Sequence, residues 1–286
     1  MARARFENSV AWVTGASSGI GRALAVELNR QGARIILSGR NVERLDEARQ
    51  ECRAPADSHV LPFDLSDLNE LPAIASKAMA AFGHIDFMVH NAGVAHRGLV
   101  VDTGLDVDQY IMATNYFGPV VLTKALLPSM LERRSGCFVV VSSLSAKFGG
   151  PCMSAYAASK HALHGFFESL VAEVHSDNIQ VTMAIPGFIQ TDITKHALTG
   201  EGTRYGRVLS MYQRAMPPEV CARRVLRAVA AGRREVLIGG MEVWSSHLQR
   251  IAPSLLALLV RSHPVRMKRK IMRALGLQRE SGERRE

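Results

Sequence analysis

Val10-Ala-Trp-Val13, followed by Thr14-Gly-Ala-Ser-Ser-Gly19-Ile-Gly21 and a helical run from Arg22 to Arg30, decides the fold. The first four residues read as a buried strand, and the glycines make a turn between that strand and a helix start. Such a junction is an anion site. Glycines let the backbone approach a pyrophosphate, and the helix N-terminus supplies N–H groups and a partial positive charge. The spacing is Gly15-x-x-x-Gly19-x-Gly21 rather than the commoner Gly-x-Gly-x-x-Gly. A glycine-rich turn that holds no ligand is the competing reading.

Outward from this junction, apolar strand runs alternate with helical patterns. Strands are predicted over 10–13, 34–38, 58–63, 87–90, 136–142, 179–185 and 235–238, and helices over 21–30, 42–52, 68–82, 106–131, 155–175 and 218–231. That order implies α/β architecture: a Rossmann-type, doubly wound parallel sheet of about seven strands with helices on both faces. A length of 286 residues with 47% hydrophobic content suits one large core. Ligands of such sheets lie at the carboxyl ends of the strands, near the reversal in strand order. Gly15, Asn91, Ser143 and Pro186 each follow the end of a different predicted strand.

Tyr156-Ala-Ala-Ser-Lys160 carries the chemistry. On a helix, positions i and i+4 share a face, which puts a phenol beside an ammonium. A fixed cation favours the phenolate and is expected to draw the Tyr156 pKa down from roughly 10 toward the range of a general acid or base. Thirteen residues upstream, Ser143 closes the run Phe138-Val139-Val140-Val141, where its hydroxyl can donate to a substrate oxygen. Alternation along the strand turns neighbouring Ser142 the other way. An isolated Tyr-x-x-x-Lys is ordinary helix decoration; its company gives it meaning.

Taken in order, Thr14-Gly15-x-x-x-Gly19-x-Gly21, Asn91-Ala92-Gly93, Asn115, Ser143, Tyr156-x-x-x-Lys160 and Pro186-Gly187 resemble the short-chain dehydrogenase/reductase family over about residues 6–240. His90 departs from the pattern, since the family more often has Asn there. The resemblance implies a catalytic set of Asn115, Ser143, Tyr156 and Lys160 and an activity interconverting a carbonyl and an alcohol. Tyr156 would exchange the proton with the substrate oxygen, Ser143 would orient that oxygen, and Lys160 would hold the nicotinamide ribose. Asn115, inside a long helix, would expose a backbone carbonyl to a water linking Lys160 to solvent. It further implies nucleotide contacts at Gly15, Ser17, Ser18, Gly19, Ile20 and Gly21. Asp64 with Leu65 would meet the adenine, Asn91, Ala92 and Gly93 the adenosine side, and Pro186, Gly187, Ile189 and Thr191 the carboxamide. A helix N-cap at Asp64, or at Ser66 or Asp67, is an open alternative. His161 and His164 match no position the family uses and read as structural. The family's usual dimers or tetramers are expected by resemblance alone.

Cofactor choice is read from the second strand. NAD sites place a carboxylate about 20 residues beyond the glycine turn to hold the ribose 2′-hydroxyl. Here that strand ends Leu37-Ser38-Gly39-Arg40, with no carboxylate. Arg40 can grip a 2′-phosphate through its fork and Ser38 can add a hydroxyl, so NADP(H) is expected. A solvated loop arginine is the alternative.

Residues 192–216 form a long stretch of uncertain structure, of the kind that often serves as a substrate lid. Its Met211, Tyr212 and Met216, with Phe148, Met153 and Phe188, suggest an apolar pocket and a hydrophobic or lipid-like ketone or aldehyde; ordinary core packing is equally compatible. Cys52, Cys137, Cys152 and Cys221 show no paired spacing, so no metal site or disulfide framework is expected, and a reducing, cytoplasmic compartment fits. Met1 to Arg5 is basic with no long apolar run behind it, unlike a secretory leader. Residues 251–260 are apolar but interrupted by Pro253, and a bilayer span needs about 20 residues.

The organisation expected is a catalytic domain over residues 1–243 and an extension over 244–286. From Arg261 to Glu286, nine Lys/Arg face three acids, giving +6 of the chain's +9. Val265, Met267, Ile271, Met272 and Leu275 lie at helical spacings among these cations, a pattern suited to an anionic membrane surface. Packing on a partner subunit is the alternative. Nucleic acid is not expected, because the tail has no aromatics to stack on bases.

Overall fold

A computed structural model describes residues 6–261. The chain divides into two compact units, Met1–Val243 and Trp244–Glu286. The first is built on a seven-stranded parallel sheet of order β3-β2-β1-β4-β5-β6-β7. Its strands are β1 (Val10–Thr14), β2 (Arg34–Ser38), β3 (Ser58–Val60), β4 (Phe87–His90), β5 (Gly136–Val141), β6 (Ile179–Pro186) and β7 (Glu235–Ile238). The helices are α1 (Gly19–Arg30), α2 (Val42–Gln50), α3 (Leu71–Phe82), α4 (Leu105–Met112), α5 (Gly118–Arg133), α6 (Ser154–Val174), α7 (Ser210–Gln213) and α8 (Pro218–Ala230).

Both faces of the sheet are covered, which is why its strands are apolar runs rather than alternating ones. Side chains nonetheless alternate between two cores. Ala11, Val13, Ile35, Leu37, Cys137 and Val139 pack with α1 and α8 on one side. Val10, Trp12, Ile36, Phe138 and Val140 pack with α3, α5 and α6 on the other. Trp12 is wholly buried and its indole donates to the Ser38 hydroxyl at 2.8 Å.

Two elements differ from the sequence reading. The helix expected from residue 68 starts at Leu71, because Asp64 accepts the Ser66 N–H (2.9 Å) and hydroxyl (2.7 Å) and holds 64–67 as a turn. Neither Asp64, Ser66 nor Asp67 is the N-cap of α3. The long helix expected over 106–131 is split by a π-helical turn, Ala113–Phe117, between α4 and α5.

Taken by itself, the second unit contains α9 (Trp244–Ile251) and α10 (Pro253–Arg261), joined at Ala252. Trp244, Ile251, Leu255, Leu258 and Leu259 are exposed. No described helix is long and apolar enough to cross a membrane. The basic pattern expected over 265–275 lies outside the described residues.

Candidate active site

The strand order reverses between β1 and β4, and a cleft of about 680 Å³ opens at the carboxyl ends there. Every nucleotide-site residue expected from the sequence, Gly21 excepted, lines it. A hollow of similar volume at the opposite end of the sheet, beside His84, Asp86 and Asn178, contains none of the motif residues.

The glycine turn is tied to the next strand. Gly15 has φ +67°, and a Cβ there would stand 2.8 Å from Asn91 Nδ2 and 2.9 Å from Ala92 Cα. Asn91 Nδ2 donates to the Thr14 carbonyl at 3.0 Å, and Thr14 Oγ1 accepts the N–H groups of Asn91 (3.1 Å) and Ala92 (3.2 Å). At Gly21, which supports the turn from within α1, a Cβ would run into the Gly15 carbonyl. Ser18, the N-cap of α1, makes no side-chain cap bond, and the first turn holds no acid. The leading N–H groups are therefore left for an anion.

At the reacting end, Ser142 and Ser143 diverge as alternation predicts. Ser142 Oγ meets His164 Nε2 at 3.0 Å, while Ser143 Oγ accepts the Ser145 N–H at 3.1 Å and lines the cleft together with Tyr156. Lys160 is buried, donates to the Val141 carbonyl at 3.1 Å and stands 5.8 Å from the Tyr156 ring centre. Burial pushes its pKa down to about 8. Burial likewise raises the Tyr156 phenol above its ordinary value, against the opposing influence of the Ser143 hydroxyl. This corrects the expectation that Lys160 draws the phenol toward phenolate: desolvation is the larger effect. Tyr156 keeps its proton near neutrality, which suits a donor.

Asn115 sits in the π-turn, almost fully buried. Its Oδ1 accepts the Val94 N–H at 2.7 Å, and Nδ2 donates to the Val94 carbonyl (2.9 Å) and to Ser159 Oγ (3.0 Å). The side chain thus clips the segment after β4 to α6. A π-turn takes carbonyls out of the regular i→i−4 ladder, the local departure that a carbonyl turned to solvent requires.

The far end of the cleft presents cations. Arg40 donates to the Tyr110 hydroxyl at 3.0 Å and lies 3.7 Å from Asp64, with its side chain 60% exposed. Ser38 is a correction: it is fully buried and its oxygen accepts the Trp12 indole, so it adds no free hydroxyl beside Arg40. Arg44 lines the cleft instead, with its N–H bonded to the Asn41 cap at 2.8 Å. Neither Arg44 nor Tyr110 stands out in the sequence. An arginine on a helix has no distinctive pattern, and Tyr110 lies seventy residues from the side chain it touches.

After β6, Ile189 is buried and bridges Met216, and the Thr191 methyl lies over Gly19. Glu242, equally inconspicuous in the sequence, accepts the Phe188 N–H at 3.1 Å and fixes the Gly187 turn. Residues 192–216 are fastened rather than loose: Leu198 donates to the Ala95 carbonyl at 2.9 Å and accepts the Arg97 N–H at 2.8 Å. Of the apolar candidates, Tyr212 lines the cleft and meets Phe188 edge-on, while Met211 is exposed and Met216 packs against the core. No cluster of metal-ligating side chains occurs among the described residues.

A doubly wound sheet with this cleft at its switch point defines a nucleotide-binding α/β protein. The chain belongs to the short-chain dehydrogenase/reductase family, whose "short chain dehydrogenase" model matches residues 9–202. It is 42% identical over 268 residues to dehydrogenase/reductase SDR family member 7B of Bos taurus, covering 91% of this chain and 82% of the relative. A metagenomic short-chain oxidoreductase solved with NADP is 29% identical, with a TM-score of 0.68 over 82% of this chain and 97% of the other. A short-chain dehydrogenase/reductase of Burkholderia phymatum, solved with NAD, shares the fold at 22% identity, with a TM-score of 0.78 over 87% and 95% of the two chains.

Proposed function

We propose that the protein is an NADP(H)-dependent oxidoreductase interconverting an alcohol with a hydrophobic or lipid-like ketone or aldehyde. The convergence of Ser143, Tyr156 and Lys160 on one cleft is the observation that carries this reading. The groups present fit a dinucleotide: a glycine cradle that a Cβ would fill, open N–H groups at α1, and two arginines at the far end. The bound nicotinamide supplies or accepts the hydride. Tyr156 gives its proton to the carbonyl oxygen in reduction and takes it back in oxidation. Ser143, which lines the cleft beside that phenol, holds the same oxygen in line, and Lys160 contributes positive charge where negative charge develops. Gly15, Ser17, Ser18, Gly19 and Ile20 hold the pyrophosphate, and Asn91, Ala92, Gly93, Asp64 and Leu65 the adenosine. Pro186, Gly187, Ile189 and Thr191 hold the carboxamide.

NADP(H) rather than NAD(H) is supported by Arg40 and Arg44, since a 2′-phosphate is the anion two exposed guanidinium groups would meet. Relatives of the fold take either nucleotide, so the choice rests on this chain's own residues. Titration with NADPH and NADH, then a carbonyl panel followed by nucleotide oxidation, tests the reading. Tight NADPH binding with ketone turnover is expected. Tight binding without turnover of any carbonyl would favour a non-catalytic NADP(H) sensor or scaffold, and failure to bind either nucleotide would overturn both.

A cytoplasmic homodimer or homotetramer that touches an anionic membrane through residues 244–286 is the accompanying proposal. Free cysteines support the compartment, and the exposed Trp244, Leu258 and Leu259 together with the +6 tail support the membrane contact. Co-sedimentation with phosphatidylserine vesicles should fall when Leu258 and Leu259 are both changed to Glu; unchanged binding would sink it.

A further inference from the structure

Residues 192–216 carry four cations, Lys195, Arg204, Arg207 and Arg214, against two acids, Asp192 and Glu201. Arg97, from the loop after β4, is brought to the same place by the backbone. Leu198 bridges His96 on one side and Arg204 on the other, and Arg97 N–H donates to the Leu198 carbonyl at 2.8 Å. Arg97 is partly buried, with its guanidinium 5.8 Å over the Tyr205 ring. Arg204 and His196 line the cleft that also holds Tyr156 and Ser143.

Among the described residues, Arg22, Arg30, Arg40, Arg49 and Arg133 are each ion-paired to a carboxylate. Among the described residues, neither Arg97 nor Arg204 has a carboxylate at ion-pair distance. Asp192 lines the cleft but is exposed, and Asp108 acts on buried His96. Arg97 is partly buried and Arg204 exposed, so both charges are open to a ligand anion that would pair with them. The Arg97 charge acts on the Tyr212 phenol, which lines the cleft, so this cation stands beside the cleft wall that Tyr212 forms.

We propose that the substrate bears a fixed negative charge, a carboxylate or a phosphate monoester, gripped by Arg97 and Arg204 while its carbonyl lies against Tyr156 and Ser143. The inference rests on the carbonyl-reductase reading above and narrows it to an amphiphilic carbonyl: an apolar body flanked by Phe188 and Tyr212, and an anionic end at the rim. Guanidinium forks match either anion in shape. Unpaired cations at the mouth also draw anions into the cleft, an effect that salt screens.

The test compares three ketones of one chain length, a neutral alkyl ketone, its terminal carboxylate and its terminal phosphate monoester, with NADPH as reductant. The anionic ketones should exceed the neutral one in kcat/KM by about 10- to 100-fold, the effect of one or two hydrogen bonds to charge. The advantage should lie in KM, shrink as NaCl is raised, and collapse toward unity in an Arg97→Gln/Arg204→Gln double variant. The larger of the two anionic advantages identifies the group. The KM for NADPH separates loss at the substrate end from loss at the nucleotide. Should the double variant fail to fold, Arg204→Lys keeps the charge and loses the fork, and should retain only part of the preference. Equal turnover of neutral and anionic ketones by the unaltered protein, or a preference that survives the double variant, overturns the proposal while leaving the reductase reading intact. Bound nucleotide with no ketone turned over overturns both.

Discussion

Lys160 is 4% exposed and its ammonium is tied to the Val141 carbonyl; Arg40, by contrast, has a side chain 60% exposed and reaches only Tyr110 and, at 3.7 Å, Asp64. The contrast runs through the whole cleft. On and behind its floor, Ser143, Asn115 and Lys160 are pinned by short hydrogen bonds, and burial dominates the proton affinities of Tyr156 and Lys160. At its rim, Arg40, Arg44 and Arg204 are exposed and leave their charges in water, beside an exposed His196. A floor of this kind suits chemistry, where fixed groups act in low dielectric, and such a rim suits selection among charged ligands.

The largest effect expected from breaking the floor is at Tyr156. Tyr156→Phe removes the proposed proton donor while keeping the ring, so kcat should fall by about 10²- to 10⁴-fold or more. Nucleotide affinity should change little, because the ring and Lys160 remain. Substantial residual turnover in that variant would move the donor elsewhere and make the floor a mere packing feature.

Lys160 sets the pH dependence of the same floor. With its pKa pushed down to about 8, the ammonium is lost as pH rises through that value. The reductive kcat/KM should therefore fall on the alkaline side with an apparent pKa near 8, and Lys160→Met should flatten that limb onto a much lower plateau. A limb left in place in the variant would assign the titration to another group. The sign for stability is opposite: the unfolded chain binds more protons between about 8 and 10.5, so this residue's contribution to stability rises with pH across that window.

At the rim the expected effect is smaller. Arg40→Asp removes one charge-assisted contact and adds repulsion, which should move the NADPH/NADH ratio of kcat/KM by about 10- to 100-fold toward NADH. An unchanged ratio in Arg40→Asp but a shift in Arg44→Gln would transfer the role to Arg44.

The same contrast separates what the amino-acid sequence makes legible from what it hides. The floor is legible because its chemistry is written locally: Tyr156 and Lys160 are four residues apart on one helix, and Gly15, Gly19 and Gly21 within one turn. The strands are legible because both faces of the sheet are buried and each reads as an apolar run. What stays hidden depends on partners distant in sequence. Ser38 reads as a free hydroxyl until Trp12 is seen beneath it, and Tyr156 reads as a depressed phenol until its burial is known. Arg97 acquires a role only because Leu198 carries residues 192–216 to it. Likewise, Ser66 and Asp67 look like helix caps only while Asp64 is not seen closing the turn before α3.

The smallest effect concerns two histidines behind the floor. His90 is buried, stacks on Phe138 and meets Thr123 Oγ1 at 2.9 Å, and burial pushes its pKa down to about 3. His164 is pushed down to about 4, chiefly by burial and secondarily by the Lys147 charge. Unfolded, each would titrate near 6.5, so the unfolded chain binds more protons throughout the interval between the two values. Stability contributed by the neutral rings is full above about pH 6.5 and is lost as pH falls toward 4. His90→Asn should therefore weaken the acid dependence of the melting temperature between pH 6.5 and 4, provided the amide keeps the Thr123 contact. His164→Gln should do the same and also disturb Ser142, to which His164 is bonded at 3.0 Å. Because Ser142 adjoins Ser143, His164→Gln should lower kcat a few-fold where His90→Asn does not. Equal kinetic effects would mean that the floor responds to general loosening rather than to the Ser142 contact.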